Sequence, residues 1–142
     1  MSFPALNADL NLIIAGGMSG GSVMTQLLHC TMSDIIKGSV NAVGVPMATQ
    51  WPQTITVDAT RSAAATMVLK QAQVDYAKKV LTDLEKNKTI SPVAGLKNAP
   101  VYIYTGANDI ILPTPNQESQ TMIYRDLGAK IIAHEIDANA GH

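Results

Sequence analysis

"GGMSGGS", residues 16–22, stands between the apolar run "LNLIIA" (10–15) and the helix-like "VMTQLLHC" (23–30). A continuous apolar run that stops at glycines predicts a short buried strand over 10–16. Ser22 to Thr31 predicts a helix with Val23, Leu27 and Cys30 on one face. The join is a G-x-S-x-G pattern, Gly17-Met18-Ser19-Gly20-Gly21. A sharp strand-to-helix turn strains the serine backbone. Residues two positions to either side must be small, because strand and helix crowd there. The serine oxygen is then held out at the end of the strand. The first amides of the helix point to the same place, where they suit an oxyanion. Met18 and Gly20 flank Ser19, and the Gly20 amide is the natural first donor. The alternatives are a plain glycine-rich turn and a phosphate loop. No Lys follows as a Walker loop requires, and the third position lacks the glycine of a dinucleotide loop.

The chain around this turn alternates. "GSVNAVGV" (38–45) predicts a second strand closed by Pro46. Residues 46–58 predict a loop carrying the only tryptophan, Trp51, either in the core or as a wall of a substrate pocket. A long helix is expected over about 60–86, capped by Asp58 or Thr60, with Leu69, Ala72, Tyr76, Val80 and Leu84 as its apolar face. "VYIYTG" (101–106) predicts a strand. Residues 114–129 predict a helix with Pro115 in its first turn and Gly128 at its stop, and "KIIAHEI" (130–136) the last strand. Strands alternating with helices predict an α/β fold, a parallel sheet with covering helices. Chemistry in such sheets collects at the carboxyl ends of the strands.

Composition narrows the function classes. The 142 residues fit one domain, with 46% hydrophobic and 15% charged residues. A net charge of −1 gives no electrostatic case for nucleic acid or an anionic membrane. No apolar run approaches the ~20 residues of a membrane span, and no signal peptide is visible. The single cysteine, Cys30, excludes an internal disulfide and a Cys/His metal box, and is expected to be a small buried hydrophobe.

A nucleophilic serine needs a base, and the base needs an orienting carboxylate. Asp109, in "TGANDIILP", follows the 101–106 strand, and His142, in "DANAGH", follows the last one. The order Ser, Asp, His is that of α/β-hydrolases, and all three residues lie on loops at the same sheet edge. Asp137 is expected to cap a turn. Glu135 and His134 lie within a strand, His29 lies within a helix, and Asp9 lies at the wrong end of the sheet.

At these residues the chain resembles the polyhydroxybutyrate depolymerase family of α/β-hydrolase esterases. The likeness rests on residues 16–47, on "APVYIYTGANDIILPTPNQESQTMIYRDLGA" (99–129) and on "DANAGH", and is weakest over 47–98. The family's serine motif falls on Gly17, Ser19 and Gly21. Its aspartate context falls on Asp109 with Pro113, and its histidine on His142. The resemblance implies ester hydrolysis, often of extracellular 3-hydroxybutyrate polymers, with no metal or organic cofactor. It also implies strands before the serine strand, a second oxyanion amide from one of their loops, and a helix after the histidine. None of these is in the sequence. The expectation is therefore a partial catalytic domain over 1–142, of about four strands, truncated at both ends. An exposed sheet edge and a loosely held His142 should follow. Two further readings stay open: a non-catalytic fragment without a complete oxyanion hole, and a peptidase of the same fold.

Overall fold

The structure is a computed structural model describing residues 7–47 and 69–142. Trp51, Asp58, Thr60 and the first part of the long predicted helix lie outside the described residues. The elements are β1 (Ile13–Met18), α1 (Gly20–Thr31), β2 (Ile36–Ala42), α2 (Gln71–Lys86), a short 3-10 turn (Val93–Leu96), β3 (Pro100–Gly106), α3 (Thr114–Asp126) and β4 (Lys130–Asp137). The four strands form one parallel sheet in the order β1-β2-β3-β4. The expected α/β class therefore stands.

Each connection steps one place across the sheet in the same direction. Right-handed crossovers then put the covering helices on a single face. Burial follows that rule. Ser39, Asn41, Val101, Ile103 and Thr105 point to the helices and are buried, while Val40 points away and is exposed. Between sheet and helices lies a core of Cys30, Val74, Ala77, Leu81, Leu96, Val101, Ile103, Ile123 and Tyr124. Cys30 is buried as expected.

Strand β1 corrects the expectation of a buried strand over 10–16. It begins at Ile13, and its residues alternate between half-buried and exposed, with Ile14 and Met18 on the open side. Apolar residues on both faces suit cover on both sides. Among the described residues only one side is covered. β2 stops at Ala42 rather than continuing to Val45. Val43 takes a left-handed φ of 38° and gives its N–H to the Tyr104 carbonyl.

Two helices also depart from their predicted faces. α1 buries Ser22, Thr25, Gln26, His29 and Cys30, whereas Leu27 is exposed. Its inward face is polar because each long polar side chain finds a partner inside. α2 begins at Gln71, after an extended Lys70 (φ −91°, ψ 159°). The Gln73 side chain accepts the Lys70 N–H at 2.9 Å, closing the first turn, and Leu69 gives its N–H to Ser119 Oγ at 2.8 Å. The buried stripe of α2 is Val74, Ala77 and Leu81. Ala72 and Tyr76, on the neighbouring stripe, are exposed.

Candidate active site

Ser19 occupies the single residue between β1 and α1. Its backbone has φ 55° and ψ −122°, a strained conformation for a residue with a side chain. The turn is held from both sides. Ser19 N–H donates to the Ala42 carbonyl of β2 at 3.0 Å, and the Ser19 carbonyl receives the N–H groups of Ser22 and Val23 at 3.0 and 3.3 Å. The need for small neighbours proves one-sided. A Cβ on Gly17 would lie 2.3 Å from the Gly21 carbonyl oxygen and 2.7 Å from Thr25 Oγ1, so glycine is required there. A Cβ on Gly20 or Gly21 would meet nothing within 4 Å. It is the backbone of Gly21, not its missing side chain, that crowds the turn. Gly20 and Gly21 open α1, where backbone amides have no carbonyl one turn earlier to bond.

Asp109 lies in the loop between β3 and α3 and is buried. Its Oδ1 accepts the N–H groups of Ile111 and Leu112 at 2.8 and 2.7 Å, which fixes the carboxylate and leaves Oδ2 free to face His142. His142 Nδ1 is 2.9 Å from Asp109 Oδ2, and His142 Nε2 is 2.9 Å from Ser19 Oγ. A carboxylate only accepts, so Nδ1 carries the proton. Nε2 then accepts from the serine hydroxyl. The three residues form one continuous hydrogen-bonded chain at the carboxyl edge of the sheet.

His142 is better held than its terminal position predicts. The preceding loop is tied to the Asp109 loop, with the Ala138 carbonyl receiving Asn108 Nδ2–H and the Ala140 carbonyl receiving Asn108 N–H, both at 3.0 Å. Asp137 caps this loop, as expected, by accepting the Asn139 N–H at 2.8 Å.

The other acids and histidines that the sequence offered within the described residues stand apart from the chain of three. Glu135 receives the Tyr102 hydroxyl at 2.7 Å. Asp9 accepts the Asn11 N–H at the far end of β1. His29 is buried against Tyr124, and burial lowers its pKa to about 4. Burial also lowers the pKa of His134. Around the edge, Met18, Ile110 and Ile111 leave apolar surface open beside Ser19 and Asp109. Among the described residues, no group of three or more His, Cys, Asp or Glu side chains is arranged to hold a metal ion. No described helix is long and apolar enough to cross a membrane.

Sequence reasoning missed the buried glutamines beside the turn, Gln26, Gln117 and Gln120. A glutamine on a helix reads as solvated surface, and only its partners across the fold reveal otherwise.

No protein-family model and no curated protein matches the chain. Solved structures do. A PHB depolymerase from Penicillium funiculosum superposes with a TM-score of 0.79 at 18% identity, over 100% of this chain and 42% of that one. A serine-to-alanine variant of a PHB depolymerase, complexed with an R3HB trimer, gives 0.76 at 17% identity over the same shares. A Pyrococcus horikoshii acylaminoacyl peptidase gives 0.54 at 19% identity, over 95% of this chain and 20% of that one. The chain thus spans less than half the length of the depolymerases it matches, and what it shares with them is a fold, an α/β-hydrolase-like parallel sheet with covering helices.

Proposed function

We propose that this chain carries the reacting groups of a serine ester hydrolase acting on short aliphatic polyesters of the 3-hydroxybutyrate kind. The observation that carries the reading is the unbroken Ser19–His142–Asp109 chain, with both contacts at 2.9 Å, on a serine whose backbone is strained. Ser19 Oγ attacks the ester carbonyl while His142 Nε2 takes its proton. Asp109 holds Nδ1–H and stabilises the imidazolium. The Gly20 amide, at the start of α1, donates to the oxyanion. His142 returns the proton to the departing alkoxide, leaving an acyl-enzyme on Ser19. Water activated by the same imidazole then releases the acid.

The substrate class draws on two supports. The exposed Met18, Ile110 and Ile111 offer apolar surface to an aliphatic acyl chain rather than charge to a peptide. The PHB depolymerase likeness covers the whole chain and exceeds the peptidase likeness in TM-score, 0.76 and 0.79 against 0.54. A second reading, a module inactive until further protein covers it, is favoured by Ile14 and Val40 standing exposed on the open sheet face.

The test is hydrolysis of an R3HB trimer and of p-nitrophenyl butyrate, set against a p-nitroanilide of the same acyl group. The proposal expects both esters to be cleaved at least tenfold faster than the amide. Faster amide cleavage would favour a peptidase. No cleavage of any of them by the folded chain would favour the inactive module.

A further inference from the structure

The seam between α1 and α3 is built from buried amides. Ser22 and Gln26 of α1, and Gln117 and Gln120 of α3, are each fully buried. Gln120 Nε2 donates to the Ser22 carbonyl and to Ser22 Oγ, both at 3.3 Å, and the Ser22 hydroxyl lies 3.3 Å from Gln120 Oε1. Gln26 works at both ends. Its Nε2 donates to the Gln120 carbonyl at 3.0 Å, and its Oε1 accepts the Met47 N–H at 2.8 Å. Gln117 Nε2 donates to the Gly44 carbonyl at 2.9 Å. The fit is close, since a Cβ on Gly44 would lie 2.3 Å from Ser22 Oγ.

These bonds join three segments that bear on Ser19 and Asp109. α1 starts directly after Ser19, and α3 follows the Asp109 loop. The 43–47 segment continues from Ala42, whose carbonyl holds the Ser19 N–H. An apolar seam would hold the helices together yet let them slide, because hydrophobic contact is non-directional. Buried hydrogen bonds are directional, and leaving one unmade costs about 1–3 kcal/mol.

We propose that Gln120 and Ser22 are a positioning pair that sets the register of the Ser19 turn against the Asp109 loop, and so the alignment of Ser19, His142 and Asp109. This rests on the ester hydrolase reading above. Neither side chain touches the reacting atoms.

The experiment compares the full chain with Gln120→Met, which keeps length and removes both polar ends, and with Ser22→Ala. Folding is followed by circular dichroism, and ester turnover gives kcat and KM. Proton NMR follows exchange of the His142 ring proton held by Asp109, a readout that needs no turnover. A displaced reacting group costs up to about 100-fold in rate, so kcat should fall by about 10- to 100-fold with KM within about twofold. The ring proton should exchange about tenfold faster. The double variant should be no worse than Gln120→Met alone, since both substitutions break the same contact. A folded Gln120→Met with unchanged kcat and unchanged exchange overturns the proposal. If that variant does not fold, Ser22→Ala decides by the same two readouts. A wild-type chain with a slowly exchanging ring proton and no esterase activity would remove the hydrolase reading, and the exchange comparison would still judge the seam.

Discussion

His142 Nε2 lies 2.9 Å from Ser19 Oγ at the carboxyl edge of the sheet, and His29 Nδ1 lies 3.1 Å from Ser39 Oγ between the sheet and its helices. Judged by that contact alone the two pairs are alike. Their surroundings differ in every respect that chemistry requires. His142 has a carboxylate on its other nitrogen, while the other nitrogen of His29 is buried with no partner. Ser19 is strained and reachable from solvent. Ser39 is buried and shared with the Tyr124 hydroxyl at 2.9 Å and Asn41 Nδ2 at 3.0 Å. Burial holds the His29 pKa near 4, so it stays neutral where a general base would take up protons. A serine beside a histidine is therefore no evidence of a nucleophile. The orienting acid, the strained turn and access make the difference, and among the described residues only the sheet edge combines them.

The largest effect should separate the two serines. Ser19→Ala should lower turnover of p-nitrophenyl butyrate by about 10⁶-fold, the scale for loss of a catalytic serine. Ser39→Ala in the folded protein should change it by less than about tenfold. A larger loss from the Ser39 variant would erase the contrast.

Next in size is the acid. Asp109→Asn should lower kcat by about 10⁴-fold, because an amide in place of the carboxylate favours the wrong histidine tautomer. Asp137→Asn alters only a turn cap, which an amide oxygen can still make, and a long contact with the Tyr104 hydroxyl at 3.3 Å, and should change kcat by less than about tenfold. Reversal of the two would transfer the acid's role to Asp137.

The buried pair should show itself in stability rather than rate. Folded His29 takes up a proton only near pH 4, whereas an unperturbed histidine does so at 6.5. Between those values the unfolded state binds more protons, so stability falls as pH drops from 6.5 to 4, by up to about 3 kcal/mol. Urea unfolding across that window should show the decline, and His29→Gln should flatten it. An equally steep decline in the variant would assign it to other groups.

The smallest effect concerns Cys30, next to His29 in the same core. Burial pushes its thiol up to about 12. Ellman's reagent should react with it only as fast as the chain unfolds. Rapid reaction in the native protein would mean the core around His29 and Ser39 is open.

How much of this was legible in the sequence depended on how local its cause was. The strand, turn and helix around Ser19 are written within a few residues, by an apolar run, glycines and a helix-forming stretch. Asp109 and His142 were legible because each closely follows a strand with a clear apolar pattern. The inward face of α1 was not, since Ser22 and Gln26 are buried only because Gln120 meets them from more than 90 positions away. The start of α2 was hidden for the same reason, with Leu69 bonded to Ser119 on another helix. The apolar run around β1 was legible as a strand, but its burial was not. Its exposure depends on what covers the open face, which no local pattern records.

The most direct test of the central claim is to react the folded chain with a fluorophosphonate and map the adduct by mass spectrometry. A single adduct on Ser19 is expected, lost in Ser19→Ala and slowed in Asp109→Asn. An adduct on Ser39 or on any other residue, or labelling that persists in the Ser19 variant, would contradict it.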